Sequence, residues 1–89
     1  MKDQMYSIYD KKAQYFGPPF VAVNDETACR MAEMMCDQNT LLAKHPEDFS
    51  IYSVSEWDNK SGEMTTQVPR FVDDVKAMQL NAELQKKAS

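Results

Sequence analysis

His45-Pro-Glu-Asp-Phe-Ser-Ile-Tyr-Ser-Val-Ser-Glu-Trp-Asp58 reads as a stiff loop followed by the strongest strand signal in the chain. Pro46 fixes its own φ and stops any helix running into it. From Phe49 to Trp57 the residues are aromatic, β-branched or small and polar, as strands require. Ile51, Tyr52, Val54 and Trp57 do not alternate cleanly. That pattern predicts a bulge, or a central strand with apolar residues on both faces. Asp58-Asn-Lys-Ser-Gly62 is then a hairpin loop with glycine where a positive φ is needed. Residues 63–67 return as a more polar edge strand.

Outward from this strand, Tyr6-Ser-Ile-Tyr-Asp-Lys-Lys-Ala-Gln-Tyr-Phe-Gly-Pro-Pro-Phe20 supplies the other half of the sheet. Residues 5–10 read as a strand with Tyr6 and Ile8 on one face and Met5, Ser7 and Tyr9 on the other. Asp10-Lys11-Lys12 forms a polar turn, and Gly17-Pro18-Pro19 a rigid break. Residues 20–23 resume as a short strand antiparallel to the first. Asn24 is a good helix N-cap, followed by Asp25 and Glu26 in the first turn. The helix is expected over about 25–37, with Ala28, Met31, Ala32, Met35 and Cys36 as its apolar stripe. Thr40 opens a short turn carrying Leu41 and Leu42. Pro69 opens the last element, where Phe71, Val75, Met78 and Ala82 fall at helical spacing, predicting a helix over about 70–84.

The order β-β-α-β-β-α predicts one α+β domain over residues 1–89, with residues 1–4 and 85–89 frayed. Its core is a four-stranded antiparallel sheet with helices packed on one face. Eighty-nine residues bury roughly 60–65% of the unfolded surface, enough for one modest core. No apolar run reaches the ~20 residues of a membrane span, so no membrane partner is expected. Cys29 and Cys36 are seven residues apart on the expected helix, about 10 Å, which is too far for a disulfide and leaves two structural thiols.

Chemistry in the sequence is sparse. His45 beside Glu47 and Asp48 lacks the nucleophile or second histidine that catalysis needs, and no metal or cofactor motif is present. A non-enzyme is expected, with no catalytic residue, metal or cofactor. Lys11 and Lys12 sit among Tyr6, Tyr9, Tyr15 and Phe16, the mixture of cations and rings that single-stranded nucleic acid requires. The same residues also read as cross-strand ring pairs beside a solvated turn. Arg30 and Lys44 are scattered cations that would extend a basic surface around Lys11, Lys12, Tyr9 and Tyr15. The net charge of −4 opposes phosphate binding everywhere else. Trp57 at a strand end is a candidate anchor for a protein partner. With Phe71, Val75 and Met78 on the C-terminal stripe, it predicts self-association, most simply a homodimer.

The stretch Tyr-Ser-Ile-Tyr-Asp-Lys-Lys-Ala from Tyr6, the Pro19-Phe20 pair before a capped helix, and His-Pro-Glu-Asp-Phe leading to Trp57-Asp58 together resemble the small nonstructural protein of gokushoviruses, tailless single-stranded DNA phages of the Microviridae. The likeness covers roughly residues 5–72. It implies a DNA-binding phage protein acting in the host bacterial cytoplasm, in the switch from duplex copying to single-strand genome synthesis and packaging. It assigns no catalytic residues. A second expectation stays open beside it: a factor that acts on phage replication or capsid proteins without touching DNA.

Overall fold

A computed structural model describes residues 2–38, 40–78, 80 and 84. Strands β1 (Lys2–Asp10), β2 (Tyr15–Phe16) and β3 (Phe20–Ala22) lead into helices α1 (Asp25–Gln38) and α2 (Thr40–Lys44), then a 3-10 turn over Pro46–Asp48. Strands β4 (Phe49–Asp58) and β5 (Met64–Asp74) follow. All pairings are antiparallel, in the order β2-β1-β4-β5, with β3 also on β1. Because β4 occupies one edge of β1, β2 and β3 lie end to end along the other. The α+β class and the antiparallel sheet with helices against it are as the sequence implied.

Local chemistry explains the joints. Asp10 Oδ1 accepts the backbone N–H groups of Lys12 and Ala13, both at 3.0 Å, which closes the β1–β2 turn with Gln14 at φ 59°. Gly17-Pro18-Pro19 then interrupts the edge as expected; the strand expected over 20–23 is β3, and the two-residue β2 before the break is additional, giving five strands in place of four. Asn24 Oδ1 accepts the Thr27 N–H at 2.8 Å, capping α1 as its side chain suits it to do. Asp58 Oδ1 and Gly62, at φ 79°, build the β4–β5 loop.

Two expectations fail at the chain ends. Lys2, Asp3 and Gln4 pair with Asp58, Trp57 and Glu56, so residues 2–4 are sheet; residues 1 and 85–89 lie outside the described residues. The larger correction concerns residues 70–74, which extend β5 where a helix was expected; described helical structure resumes only at residues 75–78, with Leu80 and Leu84 also helical. The rest of the expected 70–84 span lies outside the described residues. Pro69 does not end the strand, because it sits in a register break opposite Val54 where no ladder bond is asked of it. Gln67 fills that break by donating Nε2 to the Ser53 carbonyl at 3.0 Å.

The core lies between the sheet and the helices. Tyr6, Ala22, Phe49 and Ile51 from the sheet meet Ala28, Ala32 and Cys36 of α1, Leu42 of α2, and Val75 and Met78. The alanines of α1 let the helix approach the sheet closely. One polar knot crosses this layer. Tyr6 Oη donates to Asp25 Oδ1 at 2.7 Å, and Arg70 donates to both Asp25 oxygens at 2.9 and 3.1 Å. It ties β1, the first turn of α1 and β5 together. The Arg70 guanidinium, then the Tyr6 hydroxyl, hold the Asp25 carboxyl below the usual carboxylate range, while burial and then Asp25 itself push the Tyr6 phenol up.

A depressed carboxyl stabilises the fold fully above its unfolded pKa, about 4, and that contribution is lost as pH falls through the lower folded value. Stability measured by urea melts is therefore expected to fall below about pH 4 in the wild type. Asp25→Asn should weaken the protein at pH 7 and flatten that dependence. An unchanged acid profile in Asp25→Asn would remove the knot from the stability account.

Candidate nucleic-acid interface

The sheet face away from the helices carries the rings. Register places Tyr9 opposite Phe16, and Tyr52 opposite Phe71, on that face. Ring centroids lie 4.7 Å apart for Tyr9–Phe16, 5.9 Å for Tyr9–Tyr52, 5.5 Å for Phe16–Tyr52 and 5.8 Å for Tyr52–Phe71. A continuous aromatic row thus crosses β2, β1, β4 and β5. Its ends are open, with Phe16 41% and Phe71 51% exposed, while Tyr9 and Tyr52 are half-buried between them. Met5 and Val21 pair on the same face, and register brings Trp57 and Met64 to its far end. Alternation along antiparallel strands is what sorts these residues away from Tyr6, Ile8 and Ile51.

The Lys11–Lys12 turn joins β1 to β2 beside the row. Lys11 is pinned there: its backbone N–H donates to the Asp48 carbonyl at 2.9 Å, and Nζ to the Glu47 carbonyl at 3.1 Å. Its Nζ also lies 3.4 Å from Asp74 Oδ1. Asp74 accepts the Ser50 Oγ at 2.6 Å, and that bond, then Lys11, lowers its carboxyl. Lys12 is exposed at the tip.

Of the residues nominated from sequence, Lys11, Lys12, Tyr9 and Tyr15 come together on the β1–β2 hairpin. Tyr15 and Phe16 are neighbours in β2, so they face opposite sides of the sheet. Arg30 belongs to α1 and Lys44 ends α2, both exposed on the helical layer and not on the aromatic face. Trp57 and Phe71 lie on the open face. Val75 and Met78, nominated as a partner-binding stripe, are instead 1% and 3% exposed and fill the core. Their helical spacing is real, but it faces inward. Alternation in the sequence does not align Tyr52 and Phe16 with Phe71 in one row, because the register breaks beside Tyr52 and Val54 interrupt it.

The remaining chemistry is thin. His45, Glu47 and Asp48 bring possible ligand atoms within 4.8 Å of one another on an open loop, with His45 Nδ1 3.7 Å from Glu47 Oε1. Cys29 is half-buried and Cys36 buried, both reduced; burial, then Asp73, raises the Cys29 thiol and makes it a poor nucleophile. Among the described residues no helix is long and apolar enough to cross a membrane.

The geometry defines a small α+β protein that shields one sheet face with helices and leaves an aromatic row open on the other. Residues 3–78 match the Phage ORF5 protein family. The chain belongs to that family and is a phage protein. No curated protein and no solved structure matches it.

Proposed function

We propose that this phage protein is a binding protein, not an enzyme, and that it holds single-stranded DNA across the open sheet face. The observation that carries the reading is the row Tyr9–Phe16–Tyr52–Phe71 with the Lys11–Lys12 turn of the β1–β2 hairpin beside it. Every base has a face to stack, and each stacked ring contributes about 1–3 kcal/mol. Lysines supply the phosphate contacts. Aromatic side chains on a four-stranded sheet bind unpaired bases in the same way in RNA-recognition domains. The face offers rings rather than a set of base-edge donors, so weak sequence preference is expected. The resemblance to the gokushovirus protein supports a place for this activity in the host cytoplasm, during the switch to single-strand genome synthesis and packaging.

Fluorescence anisotropy of a labelled oligothymidylate in a salt series tests the proposal. Two lysine–phosphate contacts give a log–log slope of about −1.4 per copy. No retention at low salt would defeat it. Asp74 is the brake in this picture, since it shares Lys11 and adds negative charge beside the rings. Asp74→Asn keeps an acceptor for Ser50 but removes the charge, and is expected to tighten binding about threefold.

The pairing of Lys11 with Asp74, on a chain of net charge −4, favours one rival: a protein on the same face, a second copy of the chain being the simplest. That reading requires a solution mass near twice 10.2 kDa, which falls when Phe71 is replaced, and no oligonucleotide binding.

A further inference from the structure

The aromatic row runs from one edge of the sheet to the other and is closed off at neither. Phe16 ends it on β2 and Phe71 on β5, and both rings are open to solvent. The two edges also carry the exposed large apolar residues of the sheet. These are Tyr15, Phe16 and Val21 on β2 and β3, and Met64, Val68 and Phe71 on β5, with Val68 85% exposed. Among the described residues of the central strands β1 and β4, no large apolar side chain is exposed. Edge strands left in this state are sites for contact with another chain.

Direction decides what meets these edges. A DNA strand laid along the row leaves the molecule at both edges, and the strand has a chemical polarity. Copies that hold one strand in the same way therefore share one orientation. That excludes a two-fold pair of β5 edges and sets the β5 edge of each copy toward the β2–β3 edge of the next, a head-to-tail contact. The sheet admits this arrangement. Successive antiparallel pairings leave β5 antiparallel to β2 and β3, so a neighbouring copy continues the alternation of strand directions.

We infer that copies of this protein abut on one DNA strand, the β5 edge of each against the β2–β3 edge of the next, so that their aromatic rows join into one stacking surface. The inference rests on the reading of the open face as a DNA site. Register carried across the strands sets Asp74 level with Phe16, through Tyr9 and Ser50, and Thr66 level with Val21, through Met5 and Ser55. Val68 and Phe71 lie between these levels and meet residues 17–21 of the next copy. Pro69 on one edge, and Pro18 and Pro19 on the other, lack the N–H that a full ladder needs, so the contact is made by side chains. With a net charge of −4 on each copy, it is too weak to hold free copies together. On one strand the neighbour is held close, and its effective concentration is raised.

Anisotropy and native mass spectrometry of the full chain on oligothymidylates of about 4 and about 24 nucleotides test this; the shorter has room for one copy and the longer for several. Per-copy affinity, corrected for the number of sites, is expected to be about tenfold higher on the longer strand. Strands should be either bare or loaded with runs of several copies, and the protein without DNA should keep a mass of 10.2 kDa. Val68→Lys puts a charge in the contact but leaves the rings untouched, as natural edge strands do to block pairing. It should bring the two lengths to within about twofold of each other. Equal per-copy affinity on both lengths in the wild type overturns the inference and leaves the DNA reading of the face standing. A Val68→Lys variant that keeps the full gain removes the β5 edge from the contact. Runs that stop at two copies, or a dimer without DNA, overturn it as well, the first in favour of a β5–β5 pair. Failure to bind either length overturns the DNA reading of the face itself, and this inference with it.

Discussion

Lys11→Glu with Lys12→Glu is expected to lower affinity for a single-stranded oligonucleotide by at least about a hundredfold at moderate salt. Each replacement removes a phosphate contact and puts a negative charge in its place, on a protein already at −4. The loss should shrink as salt rises, because screening weakens repulsion and attraction together. The fold should survive. Both side chains are exposed, and the Lys11–Asp74 pair at 3.4 Å is a surface ion pair of the kind that contributes ~0–1 kcal/mol. Circular dichroism and a urea melt confirm that point before the anisotropy is read. A double variant that binds like the wild type would take the turn out of the site.

Tyr52→Ala combined with Phe71→Ala is expected to cost on the order of a hundredfold in the same assay, from about 1–3 kcal/mol per stacked ring. Its signature differs from that of the lysines. The salt slope stays near the wild-type value because the charges are intact, so binding weakens by a similar factor at every ionic strength. Phe71→Ala alone is the cleaner probe, since its ring is half exposed and contributes little to the core. Tyr52 touches Tyr9, Phe16 and Phe71, and its removal also loses edge-to-face contacts of about 0.5–1.5 kcal/mol each from the sheet. If the ring variants keep full oligonucleotide affinity but change the solution mass, the face belongs to a second copy of the chain.

Most of the sheet was readable because short-range chemistry and long-range packing agree there. Tyr6 and Ile8 alternate with Met5, Ser7 and Tyr9 in sequence as they do across the faces of β1. Asn24 announces α1, and Gly62 the β4–β5 loop. Disagreement begins where the ladder is irregular. Phe71, Val75 and Met78 keep helical spacing across a boundary that lies between Asp74 and Val75, so one stripe joined a strand residue to two helical ones. Pro69 looked like a helix start because its usual exclusion from strands is lifted inside a bulge. The two-residue strand β2 is too short to show any period, and pairing with β1 alone defines it.

The candidate site was legible in part for the same reason. Tyr9, Phe16, Lys11 and Lys12 are close in sequence, and their hairpin keeps them close, while Tyr15 turns to the helical side of the sheet. Tyr52 and Phe71 reach the same row through a register that shifts twice along β4, which single-strand alternation cannot follow. Arg30 and Lys44 were nominated by charge alone, and charge carries no information about which side of a sheet a helix covers.

Amide chemical-shift mapping of the full chain with an oligothymidylate of about twelve nucleotides tests the central claim most directly. The expected result is a contiguous set of shifts at Tyr9, Lys11, Lys12, Phe16, Tyr52 and Phe71, with Ala28, Ala32 and Arg30 on α1 unmoved. Shifts confined to the helical layer, or none at low salt, would contradict it.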